Sequence, residues 1–116
     1  MRGHPWGALA ALVTVAACSS SDSGGSAIAV TATDTECQVA ATELEAGSHT
    51  FEVDNKGHVV TEVYVYGPGD KVVTEKEDIG PGTRARFKAT LAPGPYEVTC
   101  KPGQRGNGIR QAISVT

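Results

Sequence analysis

A cysteine near the end of the chain is flanked in a way that suits metal binding. Cys100 closes the strand-like run Tyr96-Glu97-Val98-Thr99. A loop rich in Gly, Pro and Asn follows over residues 101–108, before a last apolar stretch over 109–115. A thiolate held between two strands of a stiff sandwich, beside a short loop that offers further ligands, can fix a transition metal. The spacing therefore predicts a metal site at this loop.

The elements that must position this loop are short strands separated by Gly/Pro turns. Residues 59–66 are rich in β-branched and aromatic side chains, and residues 84–89 alternate basic and apolar side chains, as in a strand with one wet face. The other predicted strands cover residues 27–33, 39–44, 49–54, 71–75, 96–100 and 109–115. This pattern predicts an all-β fold, an antiparallel β-sandwich with Greek-key connections.

The N-terminus has the pattern of a bacterial lipoprotein signal. Arg2 precedes an apolar run over residues 8–17, and Val15-Ala16-Ala17-Cys18 resembles the lipobox, whose cysteine is acylated. The run is shorter than the roughly 20 residues of a spanning helix. We predict a signal peptide over 1–17, a lipidated Ser/Gly-rich tether over 18–26 and one domain over 27–116. The alternative is an ordinary signal peptide with a chance cysteine at position 18.

This N-terminus also predicts the location, which is extracytoplasmic, on the bacterial cell membrane through lipid on Cys18. The charge limits the partners. The net charge is −3, and loss of Arg2 with the signal peptide leaves nine basic side chains against thirteen acidic ones. An acidic surface does not favour phosphate backbones, so nucleic acid is excluded as a partner. Ser114 and Thr116 have no recognisable His/Asp relay, which argues against a hydrolase.

Several blocks of residues together resemble the cupredoxin-like domain of the EfeO iron-uptake family, across about residues 28–115. The blocks occur in the family's order and are Glu36-Cys37, 51–57, 60–65, 73–82, 93–103 and 106–110. The resemblance implies a copper or iron ion bound by Cys37, Glu62, Glu77 and Cys100. It also implies an accessory role in iron uptake, with an iron permease or another uptake component as the partner. Oxidation of ferrous iron through such a site stays open, so the sequence does not decide whether the chain is an enzyme.

Two departures from the family bear on these expectations. EfeO proteins usually continue into a larger helical domain, so this chain is expected to be similar to their stand-alone cupredoxin partners. Family members often have Met in the loop after the C-terminal cysteine, where this chain has Gln104. Glutamine can replace a weak axial methionine in copper sites, which makes Gln104 a candidate axial ligand.

The two cysteines of the folded part leave a second interpretation open. Cys37 and Cys100 lie in an oxidising compartment, where two cysteines in a small domain usually pair. A disulfide would stabilise the fold by roughly 4 kcal/mol and would remove both thiolates. The protein would then be a metal-free, disulfide-stapled sandwich that docks a partner on the cell envelope.

The remaining candidates differ in how strongly the pattern supports them. Alternation places Glu62 on the strand face opposite Val63 and Val65. Glu77 belongs to an acidic run, and its choice over Glu75 or Asp78 depends on the resemblance alone. The match of His49-Thr50-Phe51-Glu52 to a helical His-x-x-Glu iron motif is interpreted as accidental, because residues three apart on a strand point to opposite faces.

Overall fold

The computed structural model describes residues 26–116, and nine strands and two short 3-10 turns make up the regular structure of this part. The predicted signal peptide, Cys18 and the tether as far as residue 25 lie outside the described residues. Within residues 26–116, no helix is long and apolar enough to cross a membrane. The strands are β1 Ile28–Ala32, β2 Cys37–Val39, β3 Glu43–Leu44, β4 Gly47–Asn55, β5 Thr61–Gly67, β6 Lys71–Ile79, β7 Arg84–Leu91, β8 Gly94–Cys100 and β9 Ile109–Val115.

The strands form a sandwich of two sheets. One sheet has the order β2-β1-β4-β7 and the other the order β3-β9-β8-β5-β6. The links from β6 to β7 and from β7 to β8 cross between the sheets, as in a Greek key, so the predicted sandwich is confirmed. Most strand pairs are antiparallel, as predicted, and both sheets are mixed because β1 pairs with β4 and β3 pairs with β9 in parallel.

Alternating apolar residues of both sheets fill the space between them. In β7 the buried residues Phe87, Ala89 and Leu91 alternate with exposed basic or polar ones, as the period-two pattern predicts. Phe51 of β4 stacks on Phe87 with ring centroids 5.3 Å apart. The core of the sandwich therefore follows from the sequence pattern.

Two predicted strands have different bounds in the structure. The single strand expected over residues 39–44 is replaced by β2, which pairs with β1, and β3, which pairs with β9. The chain changes sheets between them, and a strand cannot continue through that change. The strand expected over 71–75 instead continues to Ile79, because β6 pairs with β5 along most of its length.

Candidate metal site

The two cysteines of the predicted ligand set form a disulfide in the core. Cys37 of β2 and Cys100 of β8 are bonded, with their Cα atoms 5.5 Å apart, so the bond joins the two sheets. Both residues are buried, and Cys100 lies opposite the core residue Val63 in the β5–β8 pairing. The sulfur atoms therefore lie on the inner side of the five-stranded sheet.

Glu62 lies on the opposite side of that sheet. It directly precedes the inward-facing Val63, so its side chain belongs to the outer face, as predicted. The residue is only 7% exposed, and its carboxylate has no hydrogen-bond or ion-pair partner within residues 26–116. Burial raises the pKa of Glu62, the negative charge of Glu77 raises it further, and Lys101 lowers it. Glu62 is thus a largely buried side chain whose carboxylate has no hydrogen-bond or ion-pair partner among the described residues.

A bulge in the edge strand β6 brings acidic residues toward Glu62. Thr61 pairs with Ile79 but Val63 pairs with Lys76, so β6 contains one more residue than β5 between these pairs. Asp78, inside this irregularity, has a φ of 58°, which is rare for a residue other than glycine. Bulges of this kind redirect side chains and are frequent beside functional sites. Here the bulge places the charge of Glu77 where it acts on Glu62.

Gln104 contacts the same bulge from the loop between β8 and β9. Its Oε1 accepts a hydrogen bond from the backbone N–H of Asp78 at 2.8 Å. Gly103 N–H donates to the carbonyl of Val60 at 2.7 Å, and the loop therefore also binds the chain just before β5. Gln104 itself has a φ of 55°. The predicted axial ligand thus uses its amide oxygen to hold β6.

Next to Glu62 on the outer face, aromatic rings alternate with cations. Tyr64 and Tyr66 stack with centroids 5.4 Å apart. Lys101 Nζ lies 4.2 Å from the centre of the Tyr64 ring, and the Arg110 guanidinium lies 4.7 Å from that of Tyr66. Hydrogen bonding to Glu75 raises the pKa of Tyr64 to about 12, with burial as the next cause. Lys101, held over Tyr64, supplies the positive charge that lowers the pKa of Glu62.

Unsatisfied hydroxyls also occur on β5, which carries Glu62, and on its neighbour β8. The Oγ1 atoms of Thr61 and Thr99 are buried without a hydrogen-bond partner among the described residues. Thr61 directly precedes Glu62, and Thr99 lies opposite Tyr64 in the β5–β8 pairing. Buried polar atoms without partners are few in folded proteins. The strands around Glu62 therefore concentrate polar groups that the fold itself does not satisfy.

The histidines of the described part lie elsewhere. His49, on β4 in the other sheet, has its Nε2 2.7 Å from the carbonyl oxygen of Glu45. His58 Nδ1 lies 2.9 Å from a carboxylate oxygen of Asp34, and the pKa of Asp34 is lowered by its hydrogen bonds to His58. A blue copper site needs a thiolate and two imidazoles together, and the described residues do not fit that requirement.

The four predicted ligands are therefore divided between two places. The register of β5 and β6 places Glu77 in the bulge opposite Glu62, and the cysteines lie in the core. Among residues 26–116, no group of three or more His, Cys, Asp or Glu side chains is arranged to hold a metal ion. The described chain thus offers a two-carboxylate cluster, and the sequence-based assignment of all four residues as ligands stays a prediction.

Sequence profiles and structures of known proteins agree with this architecture. The family profile described as a cupredoxin-like domain matches residues 6–109. The chain belongs to the cupredoxin-like family. It is 34% identical over 73 residues to the iron uptake system component EfeO of Escherichia coli K12, and equally to that of Shigella flexneri. The match covers 63% of this chain and 19% of EfeO, so the chain corresponds to about a fifth of those relatives.

Solved cupredoxins support the fold. Dithionite-reduced auracyanin from Roseiflexus castenholzii superposes with a TM-score of 0.60 at 15% identity, over 78% of this chain and 96% of that one. A reduced Cu(I) form of an amicyanin mutant has a TM-score of 0.50 at 15% identity, over 80% and 85% of the two chains. At 15% identity these similarities show that this chain shares the fold of auracyanin and amicyanin. Its chemistry depends on its own residues.

Sequence reasoning missed two contributors to the acidic cluster. The link from Gln104 to Asp78 depends on a bulge that no local pattern marks, because an acidic run such as Glu75-Lys76-Glu77-Asp78 usually indicates a solvated segment. Lys101 was treated as part of the loop, but its position directly after Cys100 places it over Tyr64. A lysine immediately after a strand rich in aromatic neighbours is the only signal that could have indicated this contact.

Proposed function

We propose that this protein is an extracytoplasmic metal-binding accessory component of an EfeO-type iron uptake system. The observation that carries the proposal is Glu62, which is 7% exposed and whose carboxylate has no partner among the described residues. Buried carboxylates are normally paired or coordinate metals. The similarity to EfeO, an iron uptake system component, supports iron as the physiological context.

The chemistry of the cluster suits a transported ion. Glu62 and Glu77 supply carboxylate oxygens, and carboxylate oxygen favours hard cations more than soft Cu(I). Two protein groups leave coordination positions for water or for a ligand from a partner. A cargo ion held in this way is released more easily than one enclosed by four protein ligands. Iron is therefore the favoured ion and copper(II) the second candidate, with the ion acting as cargo.

Titration calorimetry of the purified domain tests this proposal. We expect anaerobic Fe²⁺ to bind the wild-type protein and to bind the Glu62→Gln/Glu77→Gln variant at least about tenfold more weakly, a difference of about 1.4 kcal/mol. A Glu43→Gln/Glu45→Gln variant removes the same charge from another part of the surface and controls for nonspecific attraction. Equal affinity of the wild type and the Glu62/Glu77 variant would refute the site.

Membrane attachment through Cys18 forms part of the proposal. A lipid at this position would keep the domain beside an iron permease, to which it would deliver the ion. We expect the Cys18→Ala precursor to lose labelling by a fatty acid analogue, and Ser19→Ala to keep it. Labelling that persists in Cys18→Ala would show that the anchor is elsewhere or absent.

The disulfide favours one alternative, a metal-free module that docks a partner on the envelope. Cys37 and Cys100 cannot act as thiolates while they are bonded, and the bond joins the two sheets in the manner of a structural staple. This module would capture the same partner with or without metal, and with Glu62→Gln as well as with the wild type. Capture that requires both metal and Glu62 would exclude it.

A further inference from the structure

The loop after β8 and the bulge in β6 are joined by a single side chain. Gln104 reaches from the loop to the backbone N–H of Asp78, 26 positions away in sequence. Its own N–H donates to the carbonyl of Lys101 at 2.8 Å, which closes the turn that begins directly after Cys100. The hydrogen bond is therefore supported at the loop side by the fixed end of β8.

Both ends of this hydrogen bond have unfavourable backbone conformations. Asp78 and Gln104 have φ values of 58° and 55°, in the left-handed region that residues other than glycine rarely occupy. Such conformations persist only where surrounding contacts fix them, and they are concentrated at functional sites. The side chain of Gln104 supplies one of those contacts for Asp78.

The position of Asp78 determines where the acidic residues of the bulge lie. Asp78 follows Glu77 directly, and both belong to the segment of β6 that has one residue more than β5. Within residues 26–116, β6 is an edge strand with β5 as its only neighbour in the sheet, and their pairing is interrupted at the bulge. Without a further contact, this segment could shift Glu77 away from Glu62.

We infer that Gln104 is a positioning residue, which holds the bulge of β6 so that Glu77 faces Glu62. The expected effect of Gln104 on metal affinity rests on the proposed function, in which Glu62 and Glu77 bind the ion. The inference assigns Gln104 a different role from that of an axial ligand, because Oε1, the strong acceptor of the side chain, is directed at the backbone N–H of Asp78 in the bulge. The remaining amide nitrogen is a donor and has no free lone pair for a metal.

Two substitutions at position 104 separate the two roles. Gln104→Glu keeps a carboxyl oxygen that can accept the Asp78 N–H, whereas Gln104→Met has no such acceptor but has the sulfur of an ordinary axial ligand. Neither substitution introduces glycine, so the backbone constraint at this position is similar. The first measurement is hydrogen exchange of the Asp78 amide by NMR in the metal-free protein. The second is anaerobic Fe²⁺ and Cu²⁺ affinity by calorimetry.

We expect Gln104→Met to speed exchange of the Asp78 amide at least tenfold and to weaken Fe²⁺ binding about tenfold. Gln104→Glu should keep both close to the wild-type values or bind Fe²⁺ more tightly. Unchanged amide exchange in Gln104→Met would overturn the inference, and so would faster exchange with unchanged affinity. Retained copper affinity in Gln104→Met, despite faster exchange of the Asp78 amide, would overturn the positioning role and make position 104 a ligand.

Failure of the proposed function gives a different result. In that case the Glu62→Gln/Glu77→Gln variant binds Fe²⁺ as the wild type does, which is measured independently of position 104. The inference is then overturned as a statement about metal binding, and the exchange rate of the Asp78 amide still decides whether Gln104 holds the bulge.

Discussion

At the scale of single residues, Glu62 destabilises the fold that contains it. Burial disfavours its charged form, and the nearby Glu77 disfavours it further, so the pKa of Glu62 is higher in the folded chain than its ordinary value of 4.5. The folded state then binds a proton more tightly than the unfolded state. Stability consequently falls as the pH rises from about 4.5 through the raised pKa, and the loss is complete above it.

Glu62→Gln should therefore stabilise the metal-free protein at neutral pH. The neutral amide occupies similar space without the buried charge, so we expect a melting temperature about 2–5 °C higher at pH 7. At pH 4, where Glu62 is protonated in the folded state, the difference should largely disappear. Differential scanning calorimetry at the two pH values measures this, with the exposed Glu43→Gln as the matched control. A gain that is equal at both pH values would contradict the explanation by charge burial.

The direction of the Glu62 side chain could be predicted, but its burial could not. Period-two alternation is a local property, so the face opposite Val63 follows from position alone. Burial to 7% depends also on elements distant in sequence, namely Lys101 after β8 and the acidic bulge in β6. These neighbours come together only when β8, β5 and β6 lie side by side in the sheet.

At the scale of elements, the loop between β8 and β9 is fixed by glycine as well as by Gln104. Gly108 has a φ of +78°, and a Cβ there would lie 2.5 Å from Cγ2 of Thr99 and 2.9 Å from the carbonyl oxygen of Cys100. Gly106 has nearly the same φ, +80°, but a Cβ there would meet nothing within 4 Å. The two glycines thus share a backbone conformation and differ in their surroundings.

Alanine at these two positions separates the two effects. Gly106→Ala should lower the free energy of unfolding by about 1 kcal/mol, the cost of the left-handed conformation. Gly108→Ala should lower it by roughly 1–3 kcal/mol more, because the backbone of β8 cannot move away from the added methyl group without disturbing its pairing. Chemical denaturation measures both values. An equal decrease in the free energy of unfolding for the two variants would show that the loop can shift to make room for a Cβ beside Thr99.

The pairing of elements was predicted less well than their existence. Apolar periodicity marks β4, β5, β7, β8 and β9 correctly, since each buries one face in the core. It cannot mark the change of sheet between β2 and β3, because the hydrogen-bond partners of these strands, β1 and β9, lie at opposite ends of the domain sequence. The parallel pairing of β1 with β4 could not be predicted for a similar reason, because β2 and β3 lie between these strands in sequence.

At the scale of the whole molecule, the sandwich separates groups that a blue copper protein brings together. Cys100 belongs to the five-stranded sheet and His49 to the four-stranded sheet, while His58 lies in the connection between β4 and β5. Each imidazole has its own contact, to Glu45 and Asp34 respectively. The fold resembles auracyanin in its backbone but does not assemble a His2Cys ligand set from its described residues.

Copper should consequently bind without the colour of a blue site. In the oxidised protein the sulfur atoms are bonded to each other and buried, so Cu²⁺ bound at Glu62 and Glu77 should have oxygen ligands, with weak visible absorption and the wide hyperfine splitting of a tetragonal site. Reduction under argon frees the thiols but brings neither His49 nor His58 to them, so we expect no intense blue-copper band then either. Glu62→Gln/Glu77→Gln should remove the oxygen-bound signal from the electron spin resonance spectrum, and Glu43→Gln/Glu45→Gln should retain it. An intense blue band with narrow hyperfine splitting, in either redox state, would require His49, His58 and Cys100 to converge, and would contradict both the carboxylate site and the separation of ligands between the two sheets.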